Sequence, residues 1–127
     1  MNVALWIVQV LVGASFVFSG AGKIYWPYSE LIKAIPWGSA VSEPMFRFIG
    51  VSEVLGGLGV ILPAATRIKP WLTPLAAAGL VLIMVLAMIF HIVRGEFYLL
   101  PWNIGFGAPA LFVAWGRWKR APIASRA

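Results

Sequence analysis

Cysteine is absent from the 127 residues, histidine occurs once, and only four side chains are acidic. Without thiols the chain has no disulfide exchange, no thiolate nucleophile and no iron–sulfur ligation. A single imidazole, His91, cannot provide two axial ligands to a haem or build a His-rich metal site. Charged residues make up 11% of the chain, against roughly a quarter in soluble domains. With 61% hydrophobic residues, so few charges cannot cover a water-facing surface. Internal repeats and low-complexity tracts are also missing.

What is present is a series of long apolar runs, with a mean hydropathy of +0.91. About 20 apolar residues make one membrane-spanning helix, so a chain this short holds at most four or five. That length excludes a soluble catalytic domain, a nucleotide-binding fold and a large transporter. Four runs read as spans of one transmembrane domain, 1–127: residues 3–21, 45–63, 71–93 and 97–115. The first ends in small residues, Ser19-Gly20-Ala21, like a signal-peptide cleavage site. No Lys or Arg precedes it, so it is expected to be a retained helix. The second is expected to stop at Pro63, and Pro101 and Pro109 predict a late start or a kink in the fourth. Residues 116–127 read as a basic, frayed tail.

The connections are unequal. Arg94-Gly95-Glu96 is barely a turn, Ala64–Pro70 is short, and Gly22–Pro44 is long. Short links force antiparallel neighbours, which predicts an all-α integral membrane four-helix bundle. In the long loop, Leu31, Ile32 and Ile35 share a helical face behind Ser29, a reasonable N-cap. A short amphipathic helix on the bilayer surface is expected there.

Ten basic residues against four acids give a net charge of +6. The basic residues flank the apolar runs, so they act as orientation signals and not as a nucleic-acid surface. Arg67, Lys69, Arg117, Lys119, Arg120 and Arg126 fall on one side; Lys23, Lys33, Arg47 and Arg94 fall on the other. Six against four predicts cytoplasmic termini and an external long loop.

Polar groups inside the spans carry the functional signal. A mid-membrane carboxylate costs roughly 2.5–3.5 kcal/mol, so it faces a protein interior with a partner. Glu53 stands eight residues into the second span, about 12 Å deep at 1.5 Å per residue. Gly50, Gly56 and Gly57 share its face and admit a close neighbour. Ser15, Ser19 and Lys23 form a stripe on the first span. Met84, Ala87, Met88 and His91 share a face of the third, and Asn103 opens the fourth. Alternating topology brings Lys23, Glu53, His91 and Asn103 toward one side, a funnel with Glu53 at its base. Glu53 and His91 are the candidate catalytic pair. Ser15, Ser19, Lys23, Gly57, Met88 and Asn103 are candidate ligand-binding residues, with no metal site among them. A direct Glu53–His91 bond needs helix tilt, a boundary shift or a bridging water, because His91 lies only about 3 Å into its span. Each residue also has a plainer role: Glu53 as interhelical glue paired with Lys23 or Asn103, Lys23 as a snorkelling anchor, His91 as an interfacial side chain.

The motifs Ser19-Gly20-x-x-Lys23, Glu53-x-x-Gly56-Gly57-Leu58-Gly59 and His91-x-x-Arg94-Gly95-Glu96 resemble the DoxX-like family. So do Asn103 and Phe112-Val113-Ala114-Trp115-Gly116-Arg117. The resemblance covers nearly the whole chain. It implies a small four-helix integral membrane protein, mostly bacterial, whose founding relatives are associated with terminal quinol oxidase and thiosulfate:quinone oxidoreductase complexes. Three function classes fit. The first is a quinone-associated redox subunit of the bacterial plasma (inner) membrane, with a lipophilic ligand at the polar pocket and a redox partner supplying electrons. The second is a non-enzymatic assembly or chaperone-like membrane protein. The third is a small-solute or ion pathway built as a homo-oligomer.

Overall fold

The computed structural model describes residues 1–125; Arg126 and Ala127, the former counted among the orientation charges, lie outside the described residues. Four long helices, α1 (Asn2–Tyr25), α3 (Glu43–Thr66), α4 (Leu72–Val93) and α5 (Leu100–Trp115), form the bundle, with a short α2 (Tyr28–Ala34) in the long loop. Tight turns at Pro36–Ala40 and Phe97–Leu99 lead into α3 and α5, and a π-type turn, Gly116–Arg120, extends α5. α1, α3, α4 and the stretch Phe97–Arg120, which joins α5 to the turns on either side of it, are apolar and long enough to cross a membrane. A 24-residue helix such as α1 is about 36 Å long, more than the roughly 30 Å hydrocarbon core.

The buried positions show why these helices associate. On α1 they include Leu5, Gln9, Val12, Phe16, Gly20 and Lys23, and on α3 they are Phe46, Gly50, Glu53, Gly57, Val60 and Ala64. Steps of three and four along each helix put all of them on one seam, the pattern of knobs-into-holes packing. Thr73, Ala77, Leu80 and His91 repeat it on α4; Asn103, Ala110, Val113 and Arg117 continue it on α5 and beyond. Packing runs α1–α3–α4–α5 and closes from α5 back to α1, an up-down-up-down ring. The apolar centre joins Val12, Phe16, Val60, Ala77, Leu80, Ala110 and Val113. Polar side chains are therefore held in two layers. One lies toward the long loop (the loop end), the other toward the termini (the terminal end).

Several boundaries differ from the sequence reading. α1 continues past Ala21 to Tyr25, until Pro27 ends it, which places Lys23 inside the helix. α3 runs through Pro63 to Thr66. A proline so near a helix end loses one backbone bond, and neighbouring helices in a membrane tolerate it. α5 begins late, at Leu100, with Pro101 in its first turn. α2 lies where the amphipathic helix was expected and buries Leu31, but Pro27 precedes it and Ser29 makes no cap. The α3 cap is Ser42, whose hydroxyl accepts from the Met45 amide at 3.3 Å.

Candidate functional site

Glycine brings α1 and α3 together at the loop end. A Cβ on Gly57 would sit 2.6 Å from the Gly13 carbonyl oxygen, and one on Gly13 would sit 2.9 Å from that of Gly57. Seven residues along each helix, Gly20 and Gly50 oppose each other in the same way. Backbones this close have no room for side chains and leave the adjoining polar groups little freedom.

Between these contacts lies the membrane carboxylate. Glu53 is 3% exposed and Lys23 8%. Lys23 Nζ lies 2.8 Å from Glu53 Oε1, an ion pair by distance although not aligned as a hydrogen bond. The same ammonium donates to Ser19 Oγ at 2.8 Å, and Ser19 donates to Glu53 Oε2 at 3.1 Å. Both carboxylate oxygens thus face groups from one turn of α1, because Ser19 and Lys23 are i, i+4. The triangle pairs opposite charges inside a low-dielectric bundle, where each would be costly alone.

His91 is also buried but belongs to a second cluster. Its Nδ1 lies 3.1 Å from Glu96 Oε1, which also accepts from Arg94 Nε at 2.9 Å. A carboxylate can only accept, so this bond puts the ring proton on Nδ1. The left-handed Gly95 (φ 74°) turns the chain sharply enough to bring Glu96 back over the end of α4. The His91 and Arg94 hydrogen bonds hold the Glu96 carboxyl below the ordinary value of 4.5, against a smaller opposing effect of burial. Trp37 packs edge-on to both His91 and Phe90, closing the layer from the long loop.

The remaining sequence candidates lie in four different settings. Asn103 is buried, and its Nδ2 has no partner among the described residues. Met88 is half-buried on α4. Gly57 is a helix-contact glycine against α1. Ser15 is exposed and lines a lipid-facing groove of about 220 Å³ between α1 and α5, with Leu11, Phe16, Phe106 and Pro109. A Phe16–Phe106 edge contact at 5.5 Å lies in its wall. The structure brings Ser19, Lys23 and Glu53 into direct contact and pairs His91 with Glu96.

Sequence reasoning missed two arginines. Arg47 donates from Nη1 to the Lys23 and Trp26 carbonyls at 2.7 and 2.8 Å, capping the end of α1 from α3. Arg117, 2% exposed, forms the terminal-end layer with Gln9: its Nε donates to Gln9 Oε1 at 2.9 Å, and Gln9 Nε2 donates to the Val60 carbonyl at 2.7 Å. A signal for the second was available. Gln9 interrupts an apolar run on the same stripe as Phe16 and Lys23, and Arg117 continues the stripe of Asn103 and Val113.

A family model described as the DoxX-like family matches residues 7–115, a stretch that contains the Ser19–Lys23–Glu53 triangle, the His91–Glu96 cluster and Asn103. No curated protein and no solved structure matches the chain. With the match extending through all four apolar helices, the chain belongs to the DoxX-like family of membrane proteins.

Proposed function

We propose that the protein is a quinone-associated subunit of the bacterial plasma membrane, with cytoplasmic termini, that holds a flat, lipophilic ring in the groove between α1 and α5. The observation that carries this reading is Ser15, a hydroxyl open to lipid in an otherwise apolar cleft and one turn from Ser19 on α1. The cleft, at about 220 Å³, is smaller than the ~300–1,000 Å³ of drug-sized pockets, room for a single ring and not a whole lipid. Ser15 donates to a ring oxygen, and Ser19 continues the polar path to Glu53 and Lys23. Reduction of a quinone to a quinol takes two electrons and two protons. Glu53 is the proposed proton-handling group, with His91 and Glu96 as the proposed connection to the loop-end surface. The electrons come from a redox partner, because one histidine and no cysteine leave this chain without haem-pair or iron–sulfur ligands. Orientation rests on the six-to-four distribution of Lys and Arg.

A second reading, a non-enzymatic assembly protein, is favoured by the way both Glu53 oxygens are engaged from α1. A group so held fastens two helices whether or not it handles protons. The two readings part on one experiment: the difference spectrum of a short-chain quinone titrated into the purified protein and its Ser15→Phe variant. Saturable binding that the phenylalanine abolishes supports the quinone reading. Absence of binding to the unaltered protein overturns it in favour of assembly.

A further inference from the structure

From the terminal-end layer we infer that the protein carries a specific site for the phosphate headgroup of an anionic phospholipid, at the opposite end of the bundle from the Glu53 cluster. The first observation is a charge imbalance. All four acidic side chains are spent at the loop end: Glu30 on Lys33, Glu43 on Arg47, Glu53 on Lys23, and Glu96 on Arg94 and His91. The terminal end holds Arg67, Lys69, Arg117, Lys119 and Arg120 without one acidic side chain.

The second observation is Arg117 itself. Its hydrogen-bond partners are all neutral: Gln9 Oε1 at 2.9 Å, Asn2 Oδ1 at 2.7 Å and the Ala121 carbonyl at 2.9 Å. The Trp6 ring lies 5.2 Å from the guanidinium. Nη2 has no partner among the described residues. A buried guanidinium with no countercharge and an unused donor among the described residues is costly unless an anion completes it.

The third is the space beside it. Arg117 lines a surface cleft of about 580 Å³ together with Lys69, Trp71, Pro74, Trp118 and Ile123. Two cations adjoin apolar walls, and both tryptophans are more than half exposed, as side chains at the headgroup level are. A diester phosphate between Arg117 and Lys69, with glycerol and upper acyl carbons along Trp71 and Ile123, satisfies charge and apolar surface together. Arginine's planar fork suits phosphate oxygens, and lysine adds a point charge. Lys69 stands in the left-handed region (φ 47°), in the turn between α3 and α4. A soluble phosphate shares the charge chemistry but leaves the apolar walls unused.

Native mass spectrometry of the full chain in an uncharged detergent tests this, with phosphatidylglycerol, phosphatidylcholine and inorganic phosphate as probes. Phosphatidylglycerol is expected to bind at least tenfold more tightly than phosphatidylcholine. Lys69→Gln, a change at an exposed side chain, is expected to weaken phosphatidylglycerol about fivefold. Arg117→Lys, which keeps the charge but removes the fork, is expected to weaken it as well. Equal binding of the two lipids, or phosphatidylglycerol binding untouched by Lys69→Gln, overturns the inference. Competition by inorganic phosphate at concentrations comparable to the lipid also overturns it, in favour of a soluble anion.

Discussion

Glu53 and Lys23 show how context decides the energetics of a buried charge. Changing one partner leaves the other unpaired, so Glu53→Gln is expected to destabilise the bundle by about 3–5 kcal/mol, read as thermal unfolding in detergent. Replacing both, as Lys23→Met with Glu53→Leu, is expected to recover most of that loss, because neither charge then remains. Failure of the double variant to recover would show that the pair does more than fasten α1 to α3. Glu96 makes a pH prediction. Its carboxyl is held below 4.5 in the folded chain, so its stabilising contribution is complete above that value and is lost as pH falls through the lower folded value. Amide exchange in residues 94–99, corrected for intrinsic rates, is expected to accelerate on acidification below pH 4.5. Glu96→Gln is expected to exchange fast at every pH. Part of this chemistry was legible beforehand. Glu53 is a carboxylate in an apolar run, and Lys23 follows Ser19 by one helical turn. Lys23 and Asn103 were both readable as partners for Glu53; the choice between them was not, because the depth of Lys23 depended on where α1 ends.

At the scale of helices, the seam of α1 and α3 is set by residues that have no side chain. Gly57→Val is expected to force the two helices apart, costing several kcal/mol and lowering thermal stability, because its Cβ meets the Gly13 backbone. Gly22, also in α1, meets nothing within 4 Å, so Gly22→Ala is expected to be neutral or to stabilise by about 0.5–1 kcal/mol. Matching losses in the two variants would mean that the seam is not the cause. The glycines around Glu53 were readable as a close-approach face. That Gly13 and Gly20 answer Gly57 and Gly50 needed the register of two helices joined by a long loop. Arg47 was unreadable for a similar reason: it caps a helix end 21–24 residues earlier in the chain.

For the molecule as a whole, the ring of helices puts Ser29 and Lys119, both exposed, at opposite ends. A chain without cysteine is a ready background for mapping its sides. With cytoplasmic termini, Ser29→Cys is expected to react with a membrane-impermeant maleimide on intact cells, and Lys119→Cys only after permeabilisation. The reverse labelling would invert the orientation. The antiparallel order of the last three spans could be argued from their short links, whereas the closure of α5 onto α1 could not, and the inner arginine of the terminal end had looked like one more surface charge. The Lys23–Glu53 pair has a further consequence for biogenesis. At roughly 5–20 residues per second, a ribosome delivers Glu53 seconds after Lys23, about 30 residues later. Until then the translocon holds a hydrophobic segment whose ammonium has no mate. Release into lipid is therefore cheapest when both helices leave together as one neutral hairpin.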